Sequence, residues 1–144
     1  MRTRYDFVVA GYVVMPEHVH LFVSEPRAAV LSTAIQALKL SVSVQSQQRP
    51  FWQARYYDFN VYTPRKRSKK IDYMHRNPIK RRLVSEPSKW LWSSCRHYQT
   101  GERGAVEIEP KWTAAKRGRA ARKPMSQKRD MGHPPIHFDR AYRT

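Results

Sequence analysis

The stretch "MPEHVHLFV", from Met15 to Val23, places two histidines one residue apart inside an apolar run that is typical of a buried strand. Because side chains alternate between the two faces of a strand, His18 and His20 share one face with Phe22. Two imidazoles at this spacing can bind one divalent cation, since the neutral imidazole is a common metal ligand. The same pair can also be two half-exposed strand residues with hydrogen-bond partners. The spacing alone leaves both interpretations open, and a metal site needs a third ligand from elsewhere.

The sequence before this stretch predicts another strand. The segment "FVVAGYVVM", from Phe7 to Met15, is nearly all apolar and rich in β-branched residues, as expected of a strand that is central in a sheet or covered on both faces. Pro16 and Glu17 then turn the chain. We therefore predict an antiparallel hairpin whose second strand runs from His18 to Ser24.

The region after the hairpin predicts a helix and further strands. An amphipathic helix that covers one sheet face is indicated by apolar residues at helical spacing, namely Leu31, Ile35, Leu38 and Val42. The segment "FWQARYYDFNVYT", from Phe51 to Thr63, is dense in aromatic and β-favouring residues. It predicts one or two further strands.

A second helix is predicted within "RKRSKKIDYMHRNP", from Arg65 to Pro78. The residue before a proline disfavours the α region, so we expect this helix to end or kink at Asn77. Tyr73 and Asn77 are four residues apart and therefore share a helix face. A tyrosine oxygen can attack phosphorus while a cation polarises a non-bridging oxygen, with Asn77 as the missing third ligand. From the pattern alone, Tyr73 also fits a half-buried helix residue, and Asn77 fits a helix stop.

The composition points to an anionic partner. The chain has 144 residues, with 28 Lys and Arg against 11 Asp and Glu, and a formal net charge of +17. Such an imbalance opposes compaction unless an anion neutralises it, and nucleic acid is the leading partner. A membrane partner is not expected, because the charge is spread along the chain rather than along one amphipathic helix. The single cysteine, Cys95, excludes an intramolecular disulfide, and no signal peptide is visible, so we expect a cytoplasmic protein.

The domain organisation follows from a change in composition near Lys111. Beyond this point the sequence is rich in Ala, Lys, Arg and Pro and has too few apolar residues to build a core. We predict one compact domain over residues 1–112 and a basic, flexible tail over residues 113–144.

Three segments, in their order and separation, resemble those of the REP-associated tyrosine transposases: "YVVMPEHVHLFV", "FWQARYYDFNVYT" and "YMHRNPIKRRLVSEPSKWLWSS". These enzymes belong with the single-tyrosine transposases of the HUH nuclease superfamily, which is named for its His-hydrophobic-His motif. The resemblance covers Tyr5 to Trp112. Three linked motifs make it far more specific than the histidine pair by itself.

The resemblance implies a fold, an activity and a set of site residues. The fold is a ferredoxin-like α+β sandwich, an antiparallel sheet with helices on one face and the histidines on the exposed face. The activity is cleavage and rejoining of single-stranded DNA at hairpin-forming palindromic repeats, with Mg²⁺ or Mn²⁺ as the cofactor. The protein would be associated with the nucleoid. The resemblance leaves open whether it is a monomer or a dimer. The resemblance implies His18, His20 and Asn77 as metal ligands. It implies Tyr73 as the nucleophile that forms a 5′-phosphotyrosine.

The start of the chain departs from the family pattern. Relatives have a strand and a helix before the hairpin, whereas here the hairpin begins almost at Met1. In a ferredoxin-like sheet that first strand is central and pairs with the histidine strand. We therefore expect an N-terminally shortened fold whose histidine strand has an exposed edge that needs a partner.

Basic and aromatic residues around the tyrosine helix predict the DNA-binding surface. We expect phosphates to be held by Arg65, Lys66, Arg67, Lys69, Lys70, Lys80, Arg81 and Arg82, and bases to stack on exposed members of Trp52, Tyr56 and Tyr57. These aromatic residues can also belong to the core, since aromatic residues are mostly buried. The alternative function is a catalytically inactive binder of structured single-stranded DNA or RNA, which would have no need of the four site residues.

Overall fold

The computed structural model describes residues 1–46, 50–108 and 135–139. In chain order the elements are helix α1 (Arg2–Tyr5), strands β1 (Val9–Val14) and β2 (His18–Val23), helices α2 (Leu31–Gln45) and α3 (Pro64–Lys80), a single 3₁₀ turn (Pro87–Lys89), helix α4 (Cys95–Thr100) and strand β3 (Pro135–Asp139).

The predicted hairpin is confirmed. β1 and β2 pair antiparallel, with Val13 opposite His20 and Val14 opposite Val19. One hydrogen bond closes the hairpin, in which the Met15 amide donates to the His18 carbonyl at 2.8 Å. Val13 is fully buried, as its β-branched, apolar neighbourhood predicts.

β2 is the central strand of a three-stranded sheet in the order β1-β2-β3. β3 pairs antiparallel with the edge of β2 that β1 leaves open. The sequence predicts that this edge needs a partner, but it also predicts that Pro135–Asp139 belongs to a flexible tail. These five residues instead form a strand. The other residues of the predicted tail lie outside the described part of the chain, and the boundary at residue 112 stays a prediction.

The buried side chains form two clusters, one on each face of the sheet. The α2-side cluster contains Val9, Tyr12, Val23, Leu31, Ile35 and Ile108. The α3-side cluster contains Ala10, Val13, Met15, Phe22, Val61 and Met74. The predicted α+β class is therefore confirmed, but the two long helices do not share one face. Because Phe22 shares the face of His18 and His20, these histidines lie on the α3 side, and they are buried rather than on an exposed face.

The segment Phe51–Thr63 does not form the predicted strands and contains only single bridge residues. Its apolar residues are divided between the two faces of the sheet. Trp52 and Tyr56 pack against the α2-side cluster, whereas Phe59 and Val61 belong with the α3-side cluster. The segment finds no open edge of the hairpin to pair with, because residues 90–94 cover the outer edge of β1 and β3 pairs with the free edge of β2.

α3 continues through Pro78, although the sequence predicted an end or kink at Asn77. The helix begins at Pro64, where the Thr63 side chain caps it by accepting a hydrogen bond from the Lys66 amide at 3.2 Å. Pro78 lies in the last turn, so only one backbone donor is lost there. The Asn77 side-chain amide donates to the Tyr73 carbonyl at 3.0 Å and helps to hold this turn.

The outer edge of β1 is covered by the segment from Trp90 to Ser94. The Val14 amide donates to the Trp92 carbonyl at 2.8 Å, and the Ser94 amide donates to the Tyr12 carbonyl at 2.9 Å. Trp90 packs against the α3-side cluster and donates to the Val14 carbonyl at 2.9 Å. Both edges of the β1-β2 hairpin are therefore paired.

Candidate metal and tyrosine site

The two histidines of β2 converge on one point. Their Nε2 atoms lie 3.0 Å apart, and the imidazole rings meet nearly at right angles with centroids 4.7 Å apart. His18 is 5% exposed and His20 is 7% exposed. The 3.0 Å distance between the Nε2 atoms is that of a hydrogen bond between the two rings. It is also the distance between adjacent ligands bound about 2.1 Å from one octahedral ion.

Glu17 fixes the orientation of the first histidine. One of its carboxylate oxygens lies 3.3 Å from His18 Nδ1 and 2.6 Å from an Arg81 guanidinium nitrogen. A carboxylate at Nδ1 holds the proton there and leaves Nε2 as the lone pair that can bind a metal. Arg81 follows the last residue of α3, so this contact also connects the end of the tyrosine helix to the turn before β2.

Tyr73 faces the histidine pair from α3. Its ring centroid lies 6.3 Å from that of His20, at an interplanar angle of 80°. Tyr73 is 46% exposed, so part of the residue faces solvent. Lys80 and Lys70 place their ammonium groups 4.3 and 5.3 Å from the centre of the Tyr73 ring. The structure thus brings the predicted nucleophile to the predicted metal ligands, with two cations beside it.

Asn77 lies one helical turn after Tyr73 and is buried. Because its amide nitrogen donates to the Tyr73 carbonyl, its side-chain oxygen is the atom left for a cation. Its role as third ligand stays a prediction.

The donor set of this site fits a small divalent cation. The predicted set joins the two imidazoles to the amide oxygen of Asn77, and Glu17 supplies the outer contact that metal-bound histidines usually make. Among residues 1–46 and 50–108, no group of three or more His, Cys, Asp or Glu side chains could hold a metal ion.

Comparison with known proteins identifies the family. Residues 1–81, more than half of the chain, match the family described as "Transposase IS200 like". The chain belongs to the IS200-like transposases. The matched residues contain the whole hairpin, both histidines, Tyr73 and Asn77.

A curated relative agrees with the motifs noted in the sequence. The chain is 25% identical over 89 residues to a REP-associated tyrosine transposase of Escherichia coli strain K12, a match that covers 61% of this chain and 54% of the relative. The chain thus spans about half the length of that relative. The resemblance to the REP-associated tyrosine transposases is confirmed. No solved structure gives a significant match.

The basic residues of this IS200-like chain surround α3. Arg65 and Lys66 are exposed in the first turn, where the helix dipole is also positive, so this helix end attracts anions. Lys70 is half-buried, and burial lowers its pKa. Arg81 pairs with Glu17, and its contact with a phosphate stays a prediction.

The other predicted phosphate contacts occupy similar positions along α3 and just after it. Lys69, Lys80 and Arg82 are exposed, as phosphate contacts must be, whereas Arg67 is half-buried.

In the described part of the chain, none of the helices is long and apolar enough to cross a membrane.

The predicted stacking residues are divided by the sheet. Trp52 donates from its indole nitrogen to the Lys39 carbonyl at 2.9 Å, and Tyr56 also packs on the α2 side, away from Tyr73. Tyr57 is 68% exposed and lies 6.2 Å from the ring of Phe59. Phe59 was not singled out in the sequence, although it follows Tyr57 at the spacing of two that places strand residues on one face.

A continuous line of rings and cations runs along the α3 side. Lys70 lies 3.7 Å above the centre of the Phe59 ring and also contacts the Tyr73 ring. Tyr57 extends this line at one end, and Lys80 extends it at the other. We call these five residues the aromatic track.

His75 is a buried histidine with a structural environment. Its Nε2 lies 2.8 Å from the Ser94 hydroxyl, which also accepts a hydrogen bond from the Tyr12 amide at 3.0 Å. Burial lowers the pKa of His75 to about 4, against a smaller opposing effect of Asp72. His75 is therefore neutral at pH 7 and connects α3 to β1.

Proposed function

We propose that this IS200-like transposase is a metal-dependent endonuclease and strand transferase that acts on single-stranded DNA. Its substrates would be hairpins formed by palindromic repeats, as expected for a nucleoid-associated, cytoplasmic enzyme. The similarity to a REP-associated tyrosine transposase supports the link to repetitive palindromes. The observation that carries the proposal is the convergence of Tyr73 from α3 on the histidine pair of β2, with ring centroids 6.3 Å apart.

In the proposed reaction the Tyr73 oxygen attacks a phosphodiester. A bond forms between this oxygen and phosphorus, and the bond from phosphorus to the 3′-oxygen of the preceding nucleotide breaks. The tyrosine proton leaves to water, and the departing 3′-oxygen takes up a proton. The product is a 5′-phosphotyrosine and a free 3′-hydroxyl group, which can later attack the same phosphorus and rejoin the strand.

His18, His20 and Asn77 would hold Mg²⁺ or Mn²⁺, which supplies Lewis-acid polarisation of a non-bridging oxygen. Glu17 keeps His18 in the tautomer that ligation requires. Lys70 and Lys80 flank the Tyr73 ring. Their positive charges would stabilise the negative charge on the attacking tyrosine oxygen and on the phosphate.

The aromatic track offers a path for the unpaired strand. Tyr57 is exposed and can stack on a base, while the lysines of the track contact phosphates. The exposed basic residues at the start of α3 extend this surface. A combination of stacking and phosphate contacts is typical of proteins that bind single strands.

The test is detection of the covalent protein–DNA adduct. A hairpin substrate labelled at its 3′ end is incubated with protein and Mn²⁺ and is separated on a denaturing gel with and without protease. Tyr73→Phe removes only the attacking oxygen, so the adduct should disappear while hairpin affinity stays within a few fold. Tyr62→Phe is the matched control, because Tyr62 is also an exposed tyrosine and should leave the adduct unchanged.

Two outcomes would contradict this proposal. A protease-sensitive band that persists in Tyr73→Phe would show that another group is the nucleophile. Tight hairpin binding by the wild-type protein without any adduct in Mg²⁺ or Mn²⁺ would favour the alternative of an inactive nucleic-acid binder.

A further inference from the structure

The proposed reaction needs a proton donor for its leaving group. When the bond from phosphorus to the 3′-oxygen breaks, the bonding electron pair stays on that oxygen, and an alkoxide leaves poorly unless it is protonated. An in-line displacement places this oxygen across phosphorus from the attacking oxygen of Tyr73. The donor must therefore be a second side chain beside the tyrosine, with reach beyond its hydroxyl group.

Three side chains that can carry a proton contact the Tyr73 ring in the described part of the chain: His20, Lys70 and Lys80. His20 belongs to the pair assigned to the metal, and a metal binds imidazole in its neutral form. The two lysines are therefore the candidates, and both have a flexible four-carbon stem that can extend past the ring.

Two aromatic rings hold the ammonium group of Lys70. Lys70 precedes Tyr73 by three residues, so the two side chains lie on one face of α3. The Lys70 Nζ atom lies 3.7 Å from the centre of the Phe59 ring and 5.3 Å from the centre of the Tyr73 ring. Phe59 packs against the α3-side cluster, so its ring is a fixed support. The sequence thus places this ammonium group beside the nucleophile from two separate segments.

Burial distinguishes the two lysines. Lys80 is exposed, whereas Lys70 is half-buried, and burial lowers the pKa of Lys70. Loss of water disfavours the charged ammonium group relative to the neutral amine, so Lys70 releases a proton more readily than an exposed lysine. An acid catalyst is more effective when its pKa lies closer to the working pH. The position of Lys70 and its burial therefore favour the same residue.

We propose that Lys70 is the general acid of the cleavage step and donates a proton from Nζ to the departing 3′-oxygen. This inference deepens the proposed function and rests on it. The bond between the Tyr73 oxygen and phosphorus forms, the bond from phosphorus to the 3′-oxygen breaks, and the Nζ proton completes the 3′-hydroxyl group. Lys70 is left as a neutral amine. In rejoining, this amine takes a proton from the 3′-hydroxyl group as that group attacks the phosphotyrosine.

The test compares two hairpin substrates that differ in one atom. In the first substrate the scissile phosphate has its ordinary bridging 3′-oxygen, and in the second substrate sulfur replaces that oxygen. A thiol is a much stronger acid than an alcohol, so a thiolate leaves without being protonated. A general acid is therefore needed for the first substrate only. The rate of covalent adduct formation is measured for both substrates with excess protein and Mn²⁺.

Lys70→Arg keeps the positive charge and the contacts with the rings, but a guanidinium group does not give up its proton. We expect adduct formation to slow at least about 100-fold on the oxygen substrate and to stay within a few fold of the wild-type rate on the sulfur substrate. Hairpin affinity should also stay within a few fold. Lys39→Arg is the matched control and should leave both rates unchanged. Lys39 is also a half-buried lysine whose pKa burial lowers, but it lies on α2, where its carbonyl accepts a hydrogen bond from Trp52.

The outcomes separate this inference from the proposed function. If the folded Lys70→Arg variant slows equally on both substrates, or cleaves the oxygen substrate at the wild-type rate, Lys70 is not the proton donor and the inference is wrong. It is also wrong if Lys80→Arg, rather than Lys70→Arg, is selectively rescued by sulfur. A wild-type protein that forms no adduct with either substrate would refute the proposed function itself.

A second variant covers the case in which Lys70→Arg does not fold, which circular dichroism melting would show. Lys70→Gln has neither the charge nor the proton, so it should bind the hairpin more weakly. Its ratio of sulfur to oxygen cleavage rates should still rise at least about 100-fold above the wild-type ratio. An unchanged ratio in this variant would contradict the proposal.

Discussion

Protonation of His75 should destabilise the folded protein as the pH falls below neutral. In the unfolded chain its pKa is about 6.5, whereas burial lowers the pKa to about 4 in the folded protein. The unfolded state therefore binds more protons, and the stabilisation present above pH 6.5 is lost as the pH falls toward 4. For this shift the loss is about 2 kcal/mol between pH 7 and pH 5 and approaches about 3 kcal/mol below pH 4.

The assay compares the wild type with His75→Gln, which cannot be protonated but can still form a hydrogen bond with Ser94. Urea unfolding is followed by tryptophan fluorescence at several pH values between 7 and 4.5. Titration of all other groups is common to both proteins, so the difference between their free energies of unfolding isolates His75. The wild type should lose about 2 kcal/mol more than the variant between pH 7 and pH 5. If both proteins lose the same free energy over this range, His75 is not held neutral by burial and the argument fails.

Three further predictions follow from other contacts. Glu17→Gln should lower Mn²⁺ affinity by about 10- to 100-fold in a calorimetric titration, because His18 Nδ1 loses its carboxylate partner, whereas Glu25→Gln, at an exposed position, should not change it. Affinity for a hairpin with a single-stranded flank should fall by about 10³ between 50 and 200 mM salt if six or more phosphates are contacted, and Lys70→Gln with Lys80→Gln should reduce the salt slope; an affinity independent of salt would contradict the phosphate contacts. Met74→Ala should cost about 2–5 kcal/mol in urea unfolding, because Met74 is 1% exposed in the α3-side cluster; a cost below about 1 kcal/mol would contradict this packing.

The hairpin and its histidines could be predicted because their signal is local. The alternation around His18 and His20 defines their common face, and the turn at Pro16 and Glu17 defines the pairing of β1 with β2. The spacing of Tyr73 and Asn77 likewise determines their common helix face. The face of the sheet that α3 covers could not be predicted from a local pattern, because it depends on packing between distant segments.

β3 could not be predicted from composition. Pro135–Asp139 contains only two large apolar residues and follows a long basic region, so a window over this part of the sequence indicates no core. Its strand is stabilised by pairing with β2, which is an interaction between distant parts of the chain. The predicted strands in Phe51–Thr63 did not form because other segments pair with both edges of the β1-β2 hairpin, which a local pattern does not reveal.

Glu17 and the paired role of Arg81 were missed for a related reason. In the sequence Glu17 is a turn residue and Arg81 is one of several cations after a proline. Only the folded chain brings the end of α3 to the turn before β2, where the two side chains lie 2.6 Å apart. The predicted phosphate contacts at exposed positions of α3 are compatible with the structure, and their function stays a prediction.

The pairing of β2 with β3 has a consequence for the order of synthesis. His18 is translated early, whereas its partner in the register, Asp139, is translated only after the whole intervening sequence. The ribosome therefore releases the hairpin, α2 and α3 while one edge of the central strand is still unpaired. Closing so long a loop is slow relative to local pairing. A nascent chain that stalls before Pro135 would leave the open edge of the histidine strand free to pair with a strand of another molecule. Premature termination should therefore promote aggregation of this protein.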